Sequence, residues 1–184
     1  MNDKVGLGGG CHWCTEAVFE ALRGVGLVEQ GFMRSAPPHD AMSEAVVVHF
    51  NPAAIGLADL IEIHLRTHAC TSQHAMRARY RSAIYVDSPQ QAREATAILD
   101  ELQKVFSKPL VTEALDFAGF ESSEPKFAHY FAKNNGNQFC ERHIKPKLER
   151  LRADYARFVL SPEPNRLAAR QPQHHRRRNR SGIG

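Results

Sequence analysis

Gly8-Gly9-Gly10-Cys11-His12-Trp13-Cys14-Thr15-Glu16-Ala17-Val18-Phe19-Glu20-Ala21-Leu22 is the stretch on which this sequence turns. Three glycines lead into a C-x-x-C pair, and the run that follows reads as helix from Trp13 to about Arg23. Lys4–Gly8 before it reads as a short strand. The stretch is therefore a strand–glycine turn–helix unit with Cys11 at the helix mouth. A helix start offers unpaired N–H groups and partial positive charge, which favour a thiolate over a thiol. A cysteine so placed falls from the usual value of about 8.5 into a range of roughly 3.5–7.5. Val18, Phe19, Ala21 and Leu22 give the helix its inward side.

A zinc half-site also begins with C-x-x-C. The other cysteines, Cys70 and Cys140, are isolated, and no second ligand pair follows at finger spacing. The glycines lack the third member of a dinucleotide fingerprint. Redox or nucleophilic thiol chemistry is the expectation, with no metal.

Outward from this unit, strands and helices are interspersed. Val25–Phe32, Glu44–Phe50, Arg81–Val86 and Leu110–Phe117 read as strands. Leu57–His68 carries Leu57, Leu60, Ile61, Ile63 and Leu65 on one broad apolar helical face. Asp87-Ser88-Pro89 starts a helix running to about Phe106, with Ser88 as cap and Pro89 in the first turn. Glu124–Lys133 and Lys145–Phe158 read as further helices, and Arg34–Asp40 and Ala69–Arg79 as irregular. Short spacings between strands argue against a doubly wound sheet. The expected fold is α+β: a two-layer sandwich of a mixed β-sheet with packed helices.

The net charge of +4 is a property of the C-terminus. From Pro162 onward lie six of the 24 basic residues and one of the 20 acidic ones, leaving 18 against 19, a net of −1. Residues 1–160 are expected to form one catalytic domain and residues 161–184 a basic, disordered tail. The Arg176-Arg177-Arg178 cluster alone does not make a nucleic-acid-binding protein. No apolar run reaches the roughly 18 residues of a membrane span. Four cysteines and no signal-peptide pattern point to the cytoplasm and to cysteines kept for chemistry.

Four blocks, in order, resemble the A-type peptide methionine-S-sulfoxide reductases. Gly10-Cys11-His12-Trp13-Cys14-Thr15-Glu16 is similar to that family's G-C-F-W-x-x-E signature. Ser43-Glu44-Ala45-Val46-Val47-Val48-His49-Phe50-Asn51-Pro52, Tyr80-Arg81-Ser82-Ala83-Ile84-Tyr85 and Pro109-Leu110-Val111-Thr112-Glu113 resemble its strand motifs. The resemblance covers about residues 4–155. It implies the same two-layer fold and reduction of methionine S-sulfoxide, protein-bound or free. It also implies a Cys11 sulfenic acid, an intramolecular disulfide and recycling by thioredoxin or a similar dithiol, with no cofactor. A monomer is expected.

Sulfoxide reduction needs a nucleophilic thiolate and a proton for the departing oxygen. Cys11 supplies the first. Glu44, at the start of an apolar strand, suits the second and matches the family's catalytic glutamate. Tyr80 matches a substrate tyrosine whose phenol donates to the sulfoxide oxygen. Trp13 and His12 are expected to touch substrate. Cys14 and Cys140 both qualify as resolving thiols: Cys14 lies one helical turn from Cys11, and Cys140 sits in a block resembling the family's C-terminal one. Departures are also plain. His12 replaces Phe, Ala75 replaces Asp, a second substrate tyrosine is missing, and Arg77 and Arg79 add charge. A plain dithiol oxidoreductase, or a non-catalytic binding protein of this fold, is the alternative; the first needs neither Glu44 nor Tyr80.

Overall fold

The computed structural model describes residues 3–160. The proposed tail, residues 161–184, lies outside that range. In chain order the elements are β1 (Asp3–Gly8), α1 (His12–Glu20), β2 (Val25–Arg34), β3 (Ser43–Phe50) and α2 (Leu57–Thr67). There follow a 3₁₀ turn (Ala75–Ala78), β4 (Ala83–Val86), α3 (Pro89–Gln103), β5 (Glu113–Asp116) and β6 (Gly119–Ser122). The last are α4 (Tyr130–Asn134), a π-turn (Cys140–Ile144) and α5 (Lys145–Asp154).

The six strands form one sheet in the order β5-β4-β1-β3-β2-β6. Only β4 and β5 run parallel; the other pairings are antiparallel. It is the mixed sheet of the expected α+β sandwich. Strand alternation sorts its two faces. In the β1–β3 register Val5 lies opposite Val48 and Leu7 opposite Val46. These four turn toward the helices and join Phe19, Leu60, Ile61, Ile84 and Leu148 in the main core. Gly6 and Gly8 point the other way, where Met33, Ala45, Val47, Ala83 and Tyr85 form a smaller cluster. A Cβ at Gly6 would lie 2.5 Å from Met33 Sδ. Fully burying one large apolar side chain is worth about 1.5–3 kcal/mol. The helix-covered face therefore carries most of the stability, and β1, at the centre, is the rigid base of the glycine turn.

The helix that starts after Asp87 forms as its sequence dictates: Ser88 Oγ accepts the Gln91 N–H at 3.2 Å ahead of Pro89. One segment differs from the sequence reading and another adds to it. Residues 124–133 were expected to be one helix, yet only Tyr130–Asn134 is helical. Buried Glu16 accepts the N–H groups of His129 (2.8 Å) and Tyr130 (3.0 Å), and Gln30 donates to the Phe127 carbonyl (3.2 Å). These long-range bonds hold the chain in turns up to His129. β6, a segment to which the sequence reading assigns no element, is a four-residue edge strand on β2, and Phe120 packs against the Met33 cluster. The described chain ends by pinning back to α1: Leu160 N–H donates to Ala21 O at 2.9 Å. Among the described residues no helix is long and apolar enough to cross a membrane.

Candidate active site

Cys11 is the N-cap residue of α1, and its carbonyl accepts from the N–H of Cys14 (3.1 Å) and Thr15 (3.2 Å). The residue is half-buried. The Cys14 thiol directed at it, and the N–H groups of Trp13 and Cys14, hold the Cys11 thiol below its ordinary value against the opposing effect of burial. Cys14 moves the other way: its proton is held toward Cys11, and burial adds to that. The pair is thus unequal, Cys11 the more acidic thiol and Cys14 the one that keeps its proton, the arrangement a nucleophile and its resolving thiol need.

Cys11 and Cys14 open onto a cavity of about 440 Å³ that Tyr80, His68, His143 and Lys147 also line. The glycine turn makes its floor. Gly9 is required there, because a Cβ would sit 2.5 Å from the His68 ring. His68 is fixed through a chain of hydrogen bonds. Its Nδ1 meets the His64 carbonyl (2.6 Å), its Nε2 meets Ser82 Oγ (2.7 Å), and Ser82 meets Thr112 (2.7 Å). His64 in turn donates from Nε2 to Gly8 O (2.8 Å). Burial lowers both imidazoles, His64 to about 4, so they stay neutral supports of the turn.

Tyr80 arrives on a segment tied down at both ends. Ser43 Oγ donates to Arg79 O (2.9 Å) and accepts from Arg81 N–H (2.8 Å), while Glu44 N–H donates to Arg79 O (2.9 Å). Arg77 clamps the segment to the glycine turn by donating to the carbonyls of Gly9 (3.3 Å), Tyr80 (3.0 Å), Ser72 (2.8 Å) and Ala69. Its charge, read from sequence as a feature beside the site, is spent on backbone.

Glu44 is buried, 3% exposed, as its strand position suggested. Its surroundings are more polar than the flanking valines implied. Oε1 accepts from Arg79 Nε at 2.8 Å, and Oε2 accepts the His12 backbone N–H at 3.1 Å. His12 is turned inward rather than toward the cavity. Its Nδ1 lies 2.9 Å from Gly31 O, and its ring meets Phe32 edge-on at 5.2 Å.

Trp13 also lies outside the residues that line the cavity. It stacks on Tyr130 (3.9 Å, 4°) and meets Phe139 edge-on (5.5 Å). Phe139 does line the cavity, so Trp13 backs its wall. Cys140 follows Phe139 but is wholly buried in the main core, and burial raises its thiol. The structure thus brings Cys11, Cys14 and Tyr80 together, with Glu44 one bonded step away through His12, and leaves Cys140 inside.

Lys147 is the residue that sequence reading missed. Among the described residues it has no carboxylate partner, and its Nζ donates to Thr67 O. Burial lowers it, while Cys14 and Cys11 raise it. It is a cation facing the thiol pair from α5, and its proximity across 133 residues has no local sequence signal. Only Glu16, Glu20 and His129 group as metal-type ligands among the described residues. Both Glu16 oxygens already accept N–H donors there.

Residues 3–158 match the family described as peptide methionine sulfoxide reductase. A peptide methionine sulfoxide reductase MsrA of Thermus thermophilus is 36% identical over 170 residues, covering 85% of this chain and 96% of that protein. Among solved structures, reduced Mxr1 of Saccharomyces cerevisiae superposes with a TM-score of 0.67 at 21% identity, covering 77% of this chain and 91% of that one. Mxr1 in complex with Trx2 superposes with a TM-score of 0.56 at 20% identity, covering 70% and 84%. At those identities the superpositions speak to the fold.

Proposed function

This chain belongs to the peptide methionine sulfoxide reductase family, and on that premise we propose how it reduces methionine sulfoxide with its own residues. The reaction is thiol-dependent. Cys11 thiolate attacks the sulfur of the S-epimer, taking the oxygen as it leaves with one proton. The products are the thioether and a Cys11 sulfenic acid. Cys14 thiol then condenses with the sulfenic acid, forming the Cys11–Cys14 disulfide and releasing water. An external dithiol returns both thiols. Thioredoxin is the reductant this reading favours, by analogy with the yeast relative solved with Trx2.

Glu44 supplies the proton, and the Tyr80 phenol donates to the sulfoxide oxygen as negative charge develops on it. Trp13 contributes through Phe139, and Cys140, once its segment moves out of the core, attacks the Cys14 sulfur, forming a Cys14–Cys140 disulfide and releasing Cys11 as a thiol. Methionine sulfoxide, free or in oxidised proteins, is the substrate class. The observation that carries this reading is the unequal thiol pair at a helix mouth, opening onto the same cavity as Tyr80. A simple dithiol exchanger would need the pair but not Tyr80 or Glu44.

The test is a thioredoxin-coupled assay on separated S- and R-epimers of a blocked methionine sulfoxide. Turnover of the S-epimer alone, abolished in Cys11→Ser, is expected. Equal turnover of both epimers, or activity that persists in Tyr80→Phe/Glu44→Gln, overturns the assignment.

A further inference from the structure

The cavity in front of the thiol pair has a one-sided charge. Among the described residues that line it there is no aspartate or glutamate, and Lys147 is its one lysine or arginine. Lys147 is half-buried. Its Nζ donates to the carbonyl of Thr67, the last residue of α2, which holds the ammonium against the cavity wall. A helix C-terminus attracts a cation, and that accounts for this bond. An ammonium has three donors, so two remain for the cavity. On the other side of the same wall a second cleft of about 420 Å³ shares Thr67, His68 and Lys147 and adds Arg66 and Arg150. Arg66 has Glu62 at 3.5 Å and Arg150 has Asp154 at 3.4 Å, each acid four residues away on the same helix. Lys147 is the cation of that wall with no carboxylate partner among the described residues. A cation that has given up part of its water gains most from an anion brought to it.

We propose that Lys147 binds the α-carboxylate of the substrate, so that the cavity selects methionine sulfoxide with a free carboxylate: the free amino acid or a chain's C-terminal residue. The proposal rests on the sulfoxide-reductase reading. With Cys11 at the sulfur and Tyr80 at the oxygen, the main-chain end of the substrate faces the rest of the lining, where Lys147 sits. Sulfur and carboxyl are separated in methionine by Cγ, Cβ and Cα alone, so both ends lie within one small cavity. A residue inside a peptide brings an amide in place of the carboxylate. Its carbonyl is neutral, and its N–H is a donor facing a donor. Lys147 thus discriminates by charge at the end of the substrate remote from the reacting sulfur.

The test compares kcat/KM on three S-epimers: N-acetylmethionine sulfoxide, its methylamide and the free amino acid. Wild type should favour the acetylated acid over the methylamide about 10- to 100-fold, the worth of a hydrogen bond to a charged group. Lys147→Met should bring that ratio near one, and Lys147→Arg should keep most of it. Lys147→Gln keeps a donor for Thr67 O without the charge, and should lose the ratio even if the Met variant folds poorly. A loss that acts through the thiols falls on both substrates and cancels in the ratio. A wild-type ratio near one, or a ratio that survives in the uncharged variants, overturns the proposal. Turnover of the free amino acid at the rate of the acetylated acid makes the free pool the source; turnover of the acetylated acid alone makes it C-terminal residues. A readout without turnover separates the proposal from the functional reading. In calorimetry on Cys11→Ser protein the acetylated acid should bind about 10- to 100-fold tighter than the methylamide, and Lys147→Gln should remove the difference. Equal affinities, or no measurable binding of either, contradict the carboxylate site whether or not the protein reduces sulfoxides.

Discussion

Replacing Cys14 separates two duties that the structure gives one side chain. Its thiol is the largest single influence lowering Cys11, and it is also the proposed resolving group. A hydrogen bond to a charged acceptor is worth about 1.5–3 kcal/mol. Removing it lowers the Cys11 thiolate-to-thiol ratio about 10- to 100-fold, at roughly 1.4 kcal/mol per factor of ten. The alkylation rate falls by less, because a more basic thiolate is intrinsically more nucleophilic with a Brønsted coefficient of about 0.4–0.5. Cys14→Ala should therefore alkylate at Cys11 about 3- to 10-fold more slowly at pH 6. Cys14→Ser keeps a donor and should stay near wild type. Both should fail to form the first disulfide and should accumulate a dimedone-trappable sulfenic acid on Cys11. The assay is iodoacetamide labelling followed by peptide mass spectrometry, with thiolate absorbance near 240 nm as the direct reading of the ratio. Equal alkylation rates in wild type, the serine variant and the alanine variant would falsify the role given to the Cys14 thiol.

Glu44→Gln should lose about 10²–10⁴-fold in rate. It should also lose about 1–3 kcal/mol of stability, because its amide NH₂ meets a donor whichever oxygen it replaces; urea unfolding checks this. Cys140→Ser should still form a Cys11–Cys14 disulfide in one turnover, with slowed recycling under thioredoxin. An oxidised wild type that maps only as Cys11–Cys140 contradicts that order. His64, at about 4 in the folded protein, is neutral there while the unfolded chain takes up a proton below about 6.5. Stability is complete above pH 6.5 and is lost as the pH falls toward 4, by about 3 kcal/mol. His64→Gln keeps a donor for Gly8 O and should flatten that slope in urea melts; an unchanged slope refutes the assignment.

Much of the frame was legible because its signals are local. The short strand before the glycine turn, the Ser88-Pro89 start and the apolar face of α2 each announce themselves within a few residues. Cys11, Cys14 and Tyr80, which the structure brings to one cavity, were legible as candidates for the same reason: each sits inside a short motif. What was hidden depends on contacts distant in sequence. The turns before α4 exist because Glu16, 113 residues earlier, takes the His129 N–H. Arg77 reads as stray charge until its bond to Gly9 O, 68 residues away, is seen. Lys147 comes to the thiols only because α5 packs on α1. His12 reads as a pocket wall, since periodicity alone does not say that its ring turns to Gly31 O.

The most direct test of the account is one turnover without reductant. Fully reduced Cys140→Ser protein, in which no onward transfer follows the first disulfide, mixed with excess S-epimer of a blocked methionine sulfoxide, should release one thioether per chain. Two thiols should disappear, and a Cys11–Cys14 disulfide should be the product by peptide mapping. No thioether, or an undiminished yield from Cys11→Ser, contradicts it.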